Sequence, residues 1–83
     1  MVRSPDEELN GKYRLSAPKN GRACWELARR PTTKIYWTGK YWTIGNEYVH
    51  SVDTSIPETA GWEEYETGEV VAVTVSSGGA RAL

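Results

Sequence analysis

Phenylalanine is absent from the chain, and cysteine, histidine and methionine each occur once among 83 residues. A lone Cys24 forms no internal disulfide, which excludes a disulfide-stapled scaffold; the expectation is a small buried apolar residue. His50, even joined by Cys24, cannot supply the three or four N/S ligands of a zinc site without carboxylates from elsewhere, so no metal is expected. A glycine-rich phosphate loop is also missing, because Gly78-Gly79 stands near the end with no helix after it. No apolar run approaches the roughly 18 residues of a membrane span, and the opening Met1-Val2-Arg3-Ser4-Pro5-Asp6-Glu7-Glu8 is too charged for a secretory signal. These absences lead to the expectation of a soluble chain with no membrane partner. An intracellular setting is favoured, although a processed fragment of an exported precursor would look the same.

Aromatics fill the place of phenylalanine: Trp25, Trp37, Trp42 and Trp62 with Tyr13, Tyr36, Tyr41, Tyr48 and Tyr65. Each such ring buries about 150–250 Å², so a handful can build a core in a chain just above the length, about 70–80 residues, below which cores are usually marginal. A second independent core is implausible at this size. Charge is nearly balanced overall but uneven along the chain. Residues 1–41 hold nine Lys/Arg against four Asp/Glu, and residues 42–83 one against seven. The favoured reading is that opposite charges meet on neighbouring strands of one fold; a basic face for polyanions is the alternative.

Ser4-Pro5-Asp6-Glu7 has the form of a helix start, with Ser4 as N-cap, but Asn10-Gly11 stops it within about one turn. Residues 1–10 are therefore expected as a tail or short helical turn, residues 11–75 as a single β domain, and residues 76–83 as a flexible tail. From Lys12 onward, short runs rich in Tyr, Trp, Val and Ile alternate with turn signals. The most specific local expectation is a two-residue hairpin at Gly39-Lys40, pairing Trp37 with Trp42, Tyr36 with Thr43 and Ile35 with Ile44. Ile35, Trp37, Trp42 and Ile44 then share one face, and Tyr36, Thr38, Tyr41 and Thr43 the other. Flanking strands are expected over Arg22–Ala28 and Glu69–Val75, the latter paired with Trp62–Glu66 so that Glu66 opposes Glu69. Ser51–Gly61 reads as a long loop. The fold class is all-β: five or six antiparallel strands curled into a small barrel or sandwich around Trp25, Trp37, Trp42, Trp62, Ile35, Ile44, Val71 and Val73.

Asn20–Trp25, Ile35-Tyr36-Trp37, Trp42-Thr43-Ile44-Gly45, His50-Ser51-Val52-Asp53 with Pro57, and Gly61-Trp62 follow one another in an order that resembles an uncharacterised small Trp/Tyr-rich β module of protist and animal multidomain proteins. That module has an Asn-Gly-Arg turn, an aromatic hairpin ending in Trp-x-Ile-Gly, a Ser-x-Asp loop and a closing Trp. The likeness covers residues 11–66, and Ala23-Cys24 depart from its pattern. It implies a non-enzymatic β module and supplies neither ligand nor catalytic residue.

Catalysis is not expected. His50, Ser51 and Asp53 are the residue types of a hydrolase triad, yet neighbours in sequence alternate across a strand and rarely meet in the needed geometry. Glu66-Thr67-Gly68-Glu69 reads as an acidic hairpin turn. A binding module remains, without cofactor, whose partner is expected to be a protein contacting the aromatic hairpin face and the adjoining loop through Tyr36, Tyr41, Tyr48 and Asp53. Glycan stacking on the same rings is one alternative. The other is single-stranded nucleic acid held by Arg22, Arg29, Arg30, Lys34 and Lys40 beside the aromatics.

Overall fold

Residues 1–76 are described by a computed structural model. Eight strands and one 3-10 turn follow in order: β1 Val2–Arg3, the turn Glu7–Leu9, β2 Tyr13–Lys19, β3 Arg22–Leu27, β4 Arg30–Trp37, β5 Trp42–Ile44, β6 Tyr48–His50, β7 Glu63–Glu64 and β8 Thr74–Val75. Strands β2 to β7 form one antiparallel meander in sequence order, and β1 pairs with β8 in a separate ribbon. The all-β expectation holds, but the sheet does not close into a barrel, since β2 and β7 remain its edges.

Turn chemistry sets the register. Asn20 and Gly21, at φ 53° and 78°, join β2 to β3 with both central residues in the left-handed region, as a type I′ hairpin requires. The Asn20 amide also donates to Trp37 O at 2.8 Å and so fastens this turn to the end of β4. Across the next hairpins Ile35 pairs with Ile44, Tyr36 with Thr43 and Trp37 with Trp42, the register that face alternation dictates. Gly39 sits at φ 108° in the connecting turn, where Thr38 Oγ1 accepts from the N–H groups of both Lys40 and Tyr41 at 3.2 Å.

Because cross-strand partners share a face, Trp25, Ile35, Ile44 and Tyr48 form one row on the inner face, with Trp37, Trp42 and His50 in the next. Trp25 and Trp37 both meet Trp42, with ring centroids at 6.2 and 5.8 Å. Val2, Leu9, Trp62, Val73 and Val75 close over these rings to complete one core. All of the residues named in advance as core are buried except Val71, which is half-buried against the cluster.

Three expectations are corrected. Of the two expectations for residues 1–10, the short helical turn is present at Glu7–Leu9, with Val2 and Leu9 in the core, but its cap is Asp6, whose carboxylate accepts from Glu8 N–H at 3.0 Å, and not Ser4. Ser4 instead bonds Asn10 Oδ1 at 2.8 Å and Asp6 N–H at 3.2 Å, closing the segment from outside. Glu69–Val75 is not one strand. Its first residues pair beside β7, through the Glu63–Val70 bridge and Val71 N–H to Trp62 O at 3.0 Å, but an N–H of Val73 turns back to Val71 O at 2.8 Å, and Thr74–Val75 leaves to pair with β1. High β-propensity does not name a partner, and β1 lies far away in sequence. The pairing with β7 is also shifted, because Glu64 N–H donates to Glu69 O at 2.9 Å, which puts Glu64 rather than Glu66 opposite Glu69. Of the C-terminal segment expected as a tail, residues 77–83 lie outside the described residues.

Candidate functional site

The outer face of the meander carries the alternate residues. Tyr36, Thr43, Val49 and Glu63 line up across β4 to β7, and Arg14, Glu26 and Lys34 across β2 to β4. The 3-10 turn and the β1–β8 ribbon pack on the inner side, so other side chains of the same face cover this one. Thr43, flanked by Tyr36 and Val49, is only 1% exposed, and its Oγ1 has no hydrogen-bond partner among the described residues. Tyr36 and Tyr41 are half-buried, so each ring shields the sheet with one part and meets solvent with the other. Tyr65, 59% exposed, joins them from the turn after β7, its ring 6.3 Å from that of Tyr41 at a 35° tilt.

Around Tyr36 the surface is polar and fixed. Lys19 Nζ lies 4.9 Å from the ring centroid, and the phenol donates to Asn46 Oδ1 at 2.9 Å. Asn46 and Gly45 are both at positive φ, 62° and 57°, in the turn from β5 to β6, where Glu47 N–H closes on Ile44 O at 3.0 Å. Two hollows share Asn46. One, of about 290 Å³, is bounded by Lys19, Thr32, Thr33, Lys34, Tyr36 and the turn. The other, of about 150 Å³, is bounded by Glu47, Glu64, Tyr65 and Glu66. A hydrogen bond with Asp6, burial, and the charges of Asp6, Glu64 and Glu66 push the Glu47 carboxyl above its usual range.

The site residues expected from the sequence do not gather in one place. Tyr48 pairs with Ile44 on the inner face and is 5% exposed, so it belongs to the core and offers no contact. Asp53 is an ion-pair partner of Arg22 at 2.6 Å. Arg22 Nη1 further donates to Thr54 O at 2.6 Å, and its guanidinium lies 4.1 Å from the centroid of the Trp37 ring. Thr54 O also accepts from Trp42 Nε1 at 3.0 Å. His50 grips the same loop from both ends. Val52 N–H donates to Nδ1 at 3.3 Å, which leaves the proton on Nε2 to bond Ala60 O at 3.0 Å. Trp42 and His50 are inner-face side chains and the Arg22 guanidinium reaches the Trp37 ring, so the loop packs on the tryptophan side, opposite Tyr36 and Tyr41, and the expected combined surface of hairpin and loop is divided in two.

The basic residues are spent in a similar way. Arg29 Nη2 caps the carbonyls of Glu7, Glu8 and Asn10 at 2.8, 3.1 and 2.9 Å. Arg30 meets Glu8 at 3.3 Å, and Lys34 meets Glu26 at 3.3 Å, with Arg14 at 3.9 Å from the same carboxylate. Lys40 alone of the five stays exposed with its ammonium group unpaired among the described residues. The ion pairs also revise the expectation that the two halves of the chain attract one another, because among the described residues only Arg22–Asp53 joins them. Burial pushes the Cys24 thiol up, which keeps it protonated and unreactive. Among the described residues no cluster of three or more His, Cys, Asp or Glu is placed to hold a metal ion, and no helix is long and apolar enough to cross a membrane.

Sequence reading missed Lys19, Asn46 and Tyr65. The Asn20-Gly21 turn was a usable signal for Lys19, since a two-residue hairpin brings it beside Arg22 near the Tyr36 end of the sheet. Tyr65 lies in a turn and carries no periodic signal. Comparison with family models, with curated proteins and with solved structures finds no match.

Proposed function

We propose that this domain is a non-enzymatic, intracellular protein-binding module whose contact surface is the outer face of the meander, centred on Tyr36, Tyr41 and Tyr65. The observation that carries the reading is the placement of three partly exposed tyrosines on the sheet face opposite the packed core. Tyrosine contributes large contact area with a polar edge and little rotamer entropy to lose, which suits protein interfaces. Sugar stacking has less support: Lys19 lies over the Tyr36 ring, and Tyr41 and Tyr65 are tilted at 35° rather than coplanar. Single-strand binding has less support too, because four of the five cations it needs are engaged with carboxylates or carbonyls. Catalysis is unsupported, since His50 is held by two loop hydrogen bonds and Cys24 is buried.

The test is photo-crosslinking in extracts of the source cells, with the probe at Lys40, comparing the native chain with Tyr41→Ala/Tyr65→Ala, and a glycan array probed with both. The expected result is discrete protein adducts that the double variant loses while its thermal unfolding stays cooperative. Equal adducts from the folded double variant, or a tyrosine-dependent glycan signal, would overturn the reading.

A further inference from the structure

The larger hollow beside Tyr36 has a chemistry of its own. It is bounded by two ammonium groups, two threonines, the Tyr36 ring and the Asn46 amide, and no carboxylate is among its walls. Lys19 meets no carboxylate among the described residues and rests on the Tyr36 ring. Lys34 is steadied by Glu26, but that carboxylate also faces Arg14, so two cations share one anion. Because Tyr36 donates its phenol proton to Asn46 Oδ1, the amide nitrogen is the end left free to donate. The hydroxyls of Thr32 and Thr33 have no hydrogen-bond partner among the described residues. The walls are held in place before any ligand arrives, on β4 and on a turn whose Gly45 N–H bonds Lys34 O at 2.9 Å.

We infer that this hollow receives an oxyanion on a side chain of the partner protein, the carboxylate of Asp or Glu or the phosphate of a phosphorylated residue. The inference rests on the protein-binding reading and gives the partner a chemical class, an acidic or phosphorylated segment. Charge complementarity chooses that occupant: ammonium groups, hydroxyls and an amide N–H all donate to an anion, and desolvating Lys19 with no counter-charge is unfavourable without one. At about 290 Å³ the space holds a phosphate with part of its hydration and is too small for a folded element. The adjacent acidic hollow across Asn46 lends direction, since a segment whose anion sits at Lys19 has carboxylates, not cations, on its other side.

The experiment is an amide-resonance titration of the whole chain with capped pentapeptides of glycine carrying a central phosphoserine, glutamate or glutamine. Phosphoserine and glutamate peptides are expected to shift Thr32, Thr33 and Asn46 saturably, and the stronger of the two names the source of the oxyanion. The glutamine peptide is expected to leave them in place. Lys19→Gln, an exposed substitution, is expected to weaken binding at least about fivefold; Lys40→Gln is expected to change it less than about twofold. Equal shifts with the glutamine peptide, an unchanged affinity in Lys19→Gln, or salt-sensitive dimerisation of the free chain that competes with the peptide would overturn the inference. The two proposals fail separately. Silent peptides with tyrosine-dependent crosslinking would remove the oxyanion site alone, whereas peptide binding with tyrosine-independent crosslinking would remove the aromatic interface alone.

Discussion

Removing the Arg22 side chain tests whether the long loop after β6 is held by an ion pair or by hydrogen bonding and stacking. Arg22 makes three contacts at once: Asp53 at 2.6 Å, Thr54 O at 2.6 Å and the Trp37 ring at 4.1 Å. Their magnitudes differ. The Asp53 carboxylate is 72% exposed, so water screens the pair and its contribution is about 0–1 kcal/mol. A guanidinium stacked on tryptophan and only 26% exposed is worth about 1–2 kcal/mol. The bond to Thr54 O adds about 1 kcal/mol, near the low end for charged donors, because that carbonyl keeps Trp42 Nε1 when the arginine is gone. Arg22→Ala is therefore expected to cost about 2–4 kcal/mol, or roughly 10–30 °C in Tm for a chain of this size. Asp53→Ala is expected to cost less than about 1 kcal/mol. Arg22→Lys keeps the charge but loses the flat fork, and is expected to recover under half of the loss. Urea unfolding followed by tryptophan fluorescence reads all three. Equal losses from Asp53→Ala and Arg22→Ala, or a silent Arg22→Lys, would refute the assignment and return the loop to simple charge pairing.

How legible this was in the sequence depends on whether a feature is local. The pairing Trp37–Trp42 could be read because a two-residue turn and strict alternation leave one register that buries both rings. The four-tryptophan core followed from the same alternation. What stayed hidden required partners distant in sequence. Val2 finds Val75, and two residues have no period to detect. Tyr48 was misplaced because Gly45 and Asn46 set a turn whose length alone decides which face it meets, and counting from Ile44 did not fix that length. The loop after β6 was recognised as long, but its side of the sheet depends on Arg22, Trp42 and His50, three side chains on three different strands. Basic residues read as a possible ligand surface proved to be internal caps and pairs, because a carbonyl at a turn attracts an arginine as well as a phosphate does.

Three further outcomes are expected, each fixed by a different physical effect. Trp42→Ala removes a fully buried ring that packs on Trp25 and Trp37, and is expected to cost about 3–5 kcal/mol by urea unfolding; a cooperative variant of nearly native stability would show that the inner face is wrongly assigned. Gly45→Ala meets both a positive φ of 57° and Leu9 Cδ2 at 2.6 Å, so it is expected to cost about 1–3 kcal/mol. Pairing it with Leu9→Ala is expected to relieve the contact part and leave the backbone part, and strict additivity in that double-mutant cycle would deny the contact. The last concerns alkaline pH. Tyr13 is fully buried and donates to Leu9 O at 2.6 Å, and burial, opposed by Arg29 and reinforced by Asp6, pushes its phenol up to about 12 from an ordinary 10. A group whose value is raised on folding stabilises the native state in its protonated form. That contribution is complete below about pH 10 and is lost as pH rises through about 12, because ionising the phenol in the core costs more than ionising it in the unfolded chain. The loss amounts to about 2–3 kcal/mol across that window. Urea midpoints at pH 9, 10, 11 and 12 are expected to fall more steeply for the native chain than for Tyr13→Phe, which has no proton to lose at that position. Tyr13→Phe is expected to be weaker at pH 9, where Leu9 O lacks its donor, and to draw level toward pH 12. Parallel pH profiles for the two proteins would place the alkaline sensitivity elsewhere and remove Tyr13 as its source.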